Sequence, residues 1–220
     1  MRDSYREQLD AITDGLVEMS RLAGTAMGRA STALLDADLT LAESVIASDI
    51  AIDELYEQIE QQAFDLLALQ QPVAGDLRAV VAALRISSTL ERMGDLAVHV
   101  AGVARRRYPN AVVPVELRGT ILEMSQVAEA LVAKAGSVIA SHDVETALEL
   151  ETDDDRMDDL HRRLFTVMLG KDWTHGVEPA VDISLVGRYY ERYADHAVSV
   201  ARRIVFLVTA KKPTEILDQR

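Results

Sequence analysis

The residues of this 220-residue chain that could do chemistry are acidic residues spaced four apart. The segment ERMGD places Glu91 four residues before Asp95, and ERYAD repeats that spacing with Glu191 and Asp195. Like charges at this helical spacing destabilise an isolated helix by about 0.2–0.5 kcal/mol. An unfavourable pair that occurs twice at matched positions indicates that the carboxylates bind something of opposite charge.

An internal repeat adds two further acidic pairs. The segments ERMGDLAVHVA and ERYADHAVSVA, which begin at residues 91 and 191, are identical at seven of eleven positions. The helices that precede them align at an offset of 105 residues. This second alignment matches two acids of each half, Asp49 and Asp53 with Asp154 and Asp158. Each half therefore carries two acidic pairs on two consecutive predicted helices.

The residue count predicts that each half brings its two acidic pairs to one level. In the first half, one pair is centred 22 residues before the turn near residue 73, and the other 20 residues after it. The corresponding counts in the second half are 18 and 19, around a turn near residue 174. In antiparallel helices that rise ~1.5 Å per residue, the pairs then differ in height by only ~1.5–3 Å.

Four clustered carboxylates predict a bound cation. Their mutual repulsion and partial burial favour protonation unless a counter-charge is present. Oxygen ligands suit hard ions, which here means Mg²⁺, Ca²⁺, Mn²⁺ or oxidised iron. Two metal sites are therefore predicted, one from Asp49, Asp53, Glu91 and Asp95, the other from Asp154, Asp158, Glu191 and Asp195.

Two simpler explanations of the acidic pairs stay open at the level of sequence. The acids could belong to a solvated helix face, in which case the chain is a plain structural helical module. An arginine could also neutralise them. Arg21 lies near the level of the first cluster, whereas the second half has Ala128 there and Lys134 more than a turn away. Neutralisation by arginine is thus a better alternative for the first cluster than for the second.

A metal-dependent enzyme with bridging carboxylates is the catalytic alternative. Ferritin-type sites take a Glu-x-x-His motif from each of two helices. Asp158 and His161 have that spacing, but Tyr56 stands at the equivalent position in the first half. The chain has no Gly-rich phosphate loop, no G-x-S-x-G and no H-E-x-x-H motif. We therefore assign no catalytic residue and predict that the protein is not an enzyme.

The apolar pattern predicts an all-α fold of six long helices in two tandem, pseudo-symmetric three-helix bundles. Apolar residues recur at intervals of three and four almost throughout, and no segment alternates as a strand does. Predicted breaks follow Leu34, Leu69, Arg107, Ala140 and Leu169. The predicted organisation is a first bundle at 1–107, a proline-containing linker at 108–114, a second bundle at 115–210 and a frayed tail at 211–220.

Composition excludes several functional classes. The net charge of −13 leaves no basic footprint for nucleic acid and disfavours direct binding to an anionic membrane. The absence of cysteine excludes disulfides and thiolate zinc sites. The charged start MRDSYREQLD does not look like a signal peptide, and no apolar stretch is long enough to span a membrane. We therefore expect a cytoplasmic protein.

The repeated motifs resemble the PhoU family of phosphate-uptake regulators. The resemblance rests on ERMGDLAVHVA, on ERYADHAVSVA and on acidic pairs in the preceding helices, and it covers nearly the whole chain. The wider segments LLALQQPVAGDLR and DWTHGVEPAVDISLVGRYYERYADHA look most like actinobacterial members. His99 departs from the family pattern, which usually has Asn there.

The resemblance implies a function, partners and metals. It implies a negative regulator of phosphate uptake and of the phosphate-starvation response, acting as an adaptor. The implied partners are the ATPase subunit of the phosphate-specific ABC transporter and a sensor histidine kinase, with membrane contact only through these proteins. It also implies metal ions at the eight acids, iron or zinc clusters or single hard ions such as manganese or magnesium. A homodimer is kept open as a further assembly.

Overall fold

The computed structural model describes residues 2–211 and 213–217 and is helical throughout, with no strand in those ranges. The all-α prediction is therefore confirmed. No helix in the described ranges is long and apolar enough to cross a membrane. The helices are α1 (Arg2–Asp36), α2 (Leu39–Ser48), α3 (Ile50–Gln70), α4 (Gly75–Arg107), α5 (Val115–Ser141), α6 (Val144–Met168), α7 (Val177–Thr209) and α8 (Pro213–Leu217).

The helix ends follow from local sequence. Ala37 takes a left-handed conformation and ends α1, and the Asp38 carboxylate caps α2 by accepting from the Leu41 amide at 2.9 Å. The same arrangement of a left-handed residue and an acidic N-cap occurs in the second half, where His142 is left-handed and the Asp143 carboxylate accepts from the amide of Glu145. Acidic N-caps satisfy amides that a helix leaves unpaired, so both predicted breaks are confirmed.

One predicted helix is divided in the structure. The sequence predicted a single helix from the Asp36–Asp38 break to about Leu69, but a turn at Asp49 separates α2 from α3. The hydroxyl of Ser48 donates to the Val45 carbonyl at 3.0 Å in the turn before Asp49. The interruption thus falls on one of the predicted metal ligands.

The tail differs from the prediction as well. Residues 211–220 were expected to be frayed, but α8 occupies part of that segment, with Ile216 packed against the core. Residues 212 and 218–220 lie outside the described residues. The segment 108–114 is non-helical, and Val112 and Val113 within it are buried. This connection is therefore packed on the protein rather than extended through solvent.

Four inner helices join the two halves. Helix α1 packs against α4 and α5, and α7 packs against α4 and α5. The outer helices of the two halves have equivalent partners, because α2 and α3 pack on α1 and α4, and α6 packs on α5 and α7. Their buried apolar residues form one continuous hydrophobic cluster. Both halves contribute to this shared core. The division into a first bundle at 1–107 and a second at 115–210 therefore stays a prediction that rests on the sequence repeat.

The contact between α1 and α5 depends on small residues. A Cβ atom on Gly136 of α5 would lie 2.4 Å from the Ser20 hydroxyl oxygen of α1, which is far inside van der Waals contact. Gly24 faces Val132 and Gly28 faces Glu129 along the same seam. These pairs run in opposite directions along the two helices, so α1 and α5 are antiparallel and closely packed.

Polar bridges connect the halves at two further places. The hydroxyls of Tyr190 and Ser31 are 2.5 Å apart, and because Ser31 donates to the Met27 carbonyl at 2.7 Å, Tyr190 is the donor between them. At the other end, Arg107 on α4 donates to the buried Asp182 carboxylate on α7 at 2.5 Å. Both bridges join an element of the first half to α7.

Two buried tyrosines on α7 offer a matched test of the first bridge. Tyr190 and Tyr193 are both fully buried, but the Tyr193 hydroxyl has no hydrogen-bond partner among the described residues. We expect Tyr190→Phe to lower the free energy of unfolding by ~1 kcal/mol, the usual net value of such a bond. Tyr193→Phe should be neutral or stabilising, because it removes an unsatisfied buried hydroxyl. Urea unfolding measures both, and equal losses in the two variants would contradict the assignment.

Candidate functional site

The first acidic cluster lies between α3 and α4. Asp49 occupies the turn that begins α3, and Asp53 follows in its first turn. Glu91 and Asp95 lie on successive turns near the middle of α4. All except Asp95 are half-buried, and Asp95 is exposed. The short connection between α3 and α4 brings the four carboxylates together at one level, as the residue count predicted.

Gly94 makes room for the Asp49 carboxylate. A Cβ at position 94 would lie 2.8 Å from the Asp49 Oδ1 atom and 2.9 Å from the Ile52 Cδ1 atom. Helix α3 therefore approaches α4 more closely here than a side chain at 94 would allow. The repeat has Ala194 at the equivalent position, so the second half lacks this particular recess.

The electrostatics of the first cluster confirm that its acids lie close enough to interact. Burial, followed by the charges of Asp53, Asp95 and Glu91, raises the pKa of the Asp49 carboxyl from 3.8 to about 6. Burial also raises the pKa of Glu91, with Asp95 and Asp53 adding to it and Arg92 opposing it. Partly buried like charges resist ionisation in this way. The cluster is thus an arrangement that a positive charge would stabilise.

The second cluster has the same plan between α6 and α7. Burial and the charges of Asp195, Asp158, Asp155 and Glu191, in decreasing order, raise the pKa of Asp154 to about 6. The pKa of Asp195 is also raised, by burial first and then by Glu191. The four predicted residues of this half therefore lie close together as well.

The second cluster contains basic neighbours that the first lacks. Arg188 forms an ion pair with Glu191, and the charge of Arg188 opposes the rise in the pKa of Asp195. The His161 Nδ1 atom lies 3.9 Å from a Glu191 oxygen, while its Nε2 atom is buried with no partner among the described residues. At the equivalent positions the first half has Ser88 and Tyr56.

Neutralisation by arginine, the alternative that fitted the first cluster better in the sequence, is seen instead at the second cluster. Arg21, the candidate for the first cluster, pairs instead with Glu18 at 2.6 Å on an exposed face. Lys134 pairs with Glu149 and Asp153, beside the second cluster but not with its four acids. The arginine that does contact a cluster is Arg188, one helical turn before Glu191. Its spacing of three residues on α7 was a usable sequence pattern.

His99 and Trp173 have structural partners. The His99 ring stacks on Tyr189 of α7, with centroids 5.2 Å apart. His99 therefore helps to join α4 to α7, and no ion pair links it to Asp95 within the described residues. Trp173 donates through Nε1 to the Gly176 carbonyl at 2.8 Å and thereby packs the turn before α7.

The donor set suits a hard cation, but the carboxylates do not converge on one point. Each half offers four carboxylates, and Gly94 leaves the Asp49 oxygen facing the cluster. Among residues 2–211 and 213–217, no three Asp, Glu or His side chains come together tightly enough to ligate one ion. Metal binding at the eight acids therefore stays a prediction, supported by donor chemistry and by the raised pKa values.

Comparisons with known proteins agree with the repeat. The PhoU domain family model matches residues 16–104 and 121–204, once in each half. The phosphate-specific transport system accessory protein PhoU homolog 2 of Mycobacterium tuberculosis is 52% identical over 213 residues, covering 97% of this chain and 100% of the relative. The crystal structure of PhoU from Pseudomonas aeruginosa matches with a TM-score of 0.83 and 26% identity, over 94% of this chain and 100% of that one.

A more distant structure shares the fold. The crystal structure of the phosphate transport system regulatory protein PhoU from Streptococcus pneumoniae matches with a TM-score of 0.85. It is 23% identical and covers 94% of this chain and 98% of its own. The helix arrangement is thus retained where most residues differ.

The raised pKa values predict how stability depends on pH in protein stripped of metal. A folded state that holds a proton more tightly than the unfolded state is favoured at low pH, and this contribution is lost as pH rises from 3.8 through about 6. The double variant Asp49→Asn with Asp154→Asn should therefore gain stability relative to the parent as pH rises from about 4 to 7. After allowance for solvent screening, we expect the free energy of unfolding of the variant to rise by ~1 kcal/mol per half relative to that of the parent.

The control is another acidic pair at the same spacing. Asp10 and Asp14 on α1 are both exposed. For Asp10→Asn with Asp14→Asn, the free energy of unfolding should differ from that of the parent by nearly the same amount at every pH. Urea unfolding at several pH values in the presence of a chelator provides the measurement. If the difference in free energy of unfolding between the cluster variant and the parent does not change with pH, Asp49 and Asp154 carry no electrostatic penalty.

Proposed function

The chain belongs to the PhoU domain family, as its sequence predicted, and on this basis we propose that it is an accessory protein of a phosphate-specific transport system. The observation that carries the proposal is 52% identity along nearly its full length to a relative of that name. In this proposal the protein restrains phosphate uptake and represses the phosphate-starvation response when phosphate is plentiful.

The proposed mode of action is that of an adaptor in the cytoplasm. Its partners would be the ATPase subunit of the phosphate ABC transporter and a sensor histidine kinase, so that membrane association comes through proteins. Two features support this proposal. The long helices α4 and α7 offer extended surfaces, and large apolar side chains such as Val73, Val177 and Val181 are exposed near their first turns. Whether the chain also forms a homodimer is a separate hypothesis.

We propose that the protein acts by occupancy rather than by turnover. The relatives are named as accessory proteins, and the acidic clusters pair no nucleophile with a base. The metal-dependent enzyme remains the alternative. His161 beside Glu191 is the observation in its favour, because a carboxylate–histidine set occurs in bridged metal centres. A substrate screen with added Mn²⁺ or Fe²⁺ distinguishes the two.

We also propose that the two clusters hold metal ions. Asp49, Asp53, Glu91 and Asp95 would bind one ion or metal cluster, and their repeats in the second half would bind another. Iron, zinc, manganese and magnesium are the candidates. A bound cation supplies positive charge that relieves the repulsion among the carboxylates. The supporting observation is that burial and like charges raise the pKa of Asp49 and of Asp154.

Metal should stabilise the fold through these acids. An ion that binds only the native state adds ~2.7 kcal/mol at 100-fold over its dissociation constant. The melting temperature of chelator-treated protein should therefore rise when Mn²⁺, Fe²⁺ or Zn²⁺ is added. The response should disappear when Glu91→Gln and Asp95→Asn are combined with Glu191→Gln and Asp195→Asn. The exposed pair Asp10→Asn with Asp14→Asn is the matched control and should respond as the parent does. A response retained by the cluster variant would place the metal elsewhere.

Loss of the protein should make phosphate-starvation genes constitutive. A regulator that acts by occupancy removes its repression when it is deleted, so a starvation-promoter reporter should be active in phosphate-rich medium. Complementation with the parent chain should silence the reporter, in proportion to the amount expressed. A silent reporter in the deletion strain, with no paralogue present, would overturn the regulatory proposal. Co-purification from phosphate-rich and phosphate-starved cells would then identify partners independently.

A further inference from the structure

A second region of the molecule, which adjoins the second acidic cluster but includes none of its four acids, has the character of a ligand pocket. A cavity of ≈ 780 Å³ lies between the first turns of α4 and the last turns of α7, beside α8. Leu77, Val81 and Phe206 line it with apolar surface, and Leu77 and Phe206 are partly exposed there. Pockets that bind small molecules have volumes of roughly 300–1,000 Å³ and mostly apolar walls.

Arginines from two helices converge on this cavity. Arg78 and Arg85 lie seven residues apart on α4, and Arg203 reaches the cavity from α7. None of the three forms an ion pair or a side-chain hydrogen bond with any described residue. A fourth arginine, Arg202, donates to the Glu151 carboxylate at 2.7 Å, and both of these residues also line the cavity. Three positive charges therefore have no partner within the part of the chain that the structure describes.

Two of these guanidinium groups are partly desolvated. The Nε atoms of Arg78 and Arg203 are buried and have no hydrogen-bond partner within the described part of the chain. Burial and the charge of Arg85 lower the pKa of Arg203. A buried donor without an acceptor is unfavourable, and so is a cluster of like charges. An anion in the cavity would relieve both.

The overall charge makes this concentration of arginines unusual. The chain has a net charge of −13, whereas the described lining of the cavity contains four arginines and one acid, Glu151. The wall of the pocket is therefore net positive in a chain that is net negative. Because the arginines lie beside an apolar wall, the occupant needs an anionic part and an apolar or planar part.

We propose that this pocket binds a small organic phosphate, with its phosphate groups among Arg78, Arg85 and Arg203 and its apolar or planar body against Leu77, Val81 and Phe206. Guanidinium groups bind phosphate oxygens in a bidentate manner and are the side chains best suited to this task. Phe206 supplies an aromatic face for a planar body. This inference is independent of the proposed role in phosphate transport and of the metal proposal.

The test uses the full-length protein and a fluorescent organic dianion with a planar body, bis-ANS, in buffer that contains EDTA. The chelator prevents metal at the acidic clusters from bridging an anion. Bis-ANS should bind with one saturable site, and adenosine triphosphate should displace it. Inorganic phosphate, which has no apolar body, should displace it much less effectively at equal concentration.

Variants assign the binding to the pocket. Arg85→Gln with Arg203→Gln should weaken binding of both bis-ANS and adenosine triphosphate by ~10-fold or more, as expected for lost charge-assisted hydrogen bonds. Arg163→Gln is the matched control, because Arg163 is exposed on α6 and has no ion pair within the described residues. Phe206→Ser tests the apolar wall at an exposed position and should weaken bis-ANS binding without unfolding the protein. Circular dichroism verifies the fold of each variant.

Four results would overturn the proposal. They are the absence of a saturable bis-ANS site, unchanged affinity in folded Arg85→Gln with Arg203→Gln protein, failure of adenosine triphosphate to displace the probe, and equal displacement by inorganic phosphate. If the double arginine variant does not fold, the Phe206→Ser variant and the two displacement measurements decide the matter alone.

Discussion

The close packing of α1 against α5 is the constraint on which the rest of the molecule depends. Gly136 allows the Ser20 side chain to lie where any Cβ would collide with it, so the two helices meet almost backbone to backbone. Helices α1 and α5 are the first helices of the two repeats. Once they pack antiparallel, their partners must meet in the same way, and α4 indeed runs antiparallel to α7, with Arg107 at Asp182 and His99 at Tyr189.

This arrangement explains the position of the acidic clusters. The inner layer of α1, α4, α5 and α7 buries the apolar faces of both halves in one core. Helices α3 and α6 then cover α4 and α7 from outside, and each brings its acidic pair to the pair on the inner helix. The clusters are therefore only partly buried, and burial beside like charges raises the pKa of Asp49 and of Asp154. A site of this kind is open to solvent ions and still sensitive to the packing of the outer helix.

Sequence reasoning went furthest where it used spacing along a single helix or a repeat. The levels of Asp49 and Glu91 could be predicted by counting, because a helix rises by a fixed amount per residue and the turn between α3 and α4 is short. The interruption at Asp49 could not, because the segment SVIASDIAID has no Pro or Gly and keeps its helical spacing of apolar residues through the turn. The arginine pocket was also missed. Arg78 and Arg203 lie 125 residues apart, and only the antiparallel packing of α4 on α7 brings them together.

The two acidic clusters are related by the repeat but are not electrostatically equivalent. In the second, Arg188 already pairs with Glu191, and His161 lies nearby. The first has Ser88 and Tyr56 instead, together with the recess over Gly94 that admits the Asp49 carboxylate. The acids of the two halves nevertheless raise the pKa of Asp49 and of Asp154 to the same value, about 6. Because α4 carries the first cluster near its middle and Arg78 and Arg85 near its beginning, one helix positions groups of opposite charge at two separate levels.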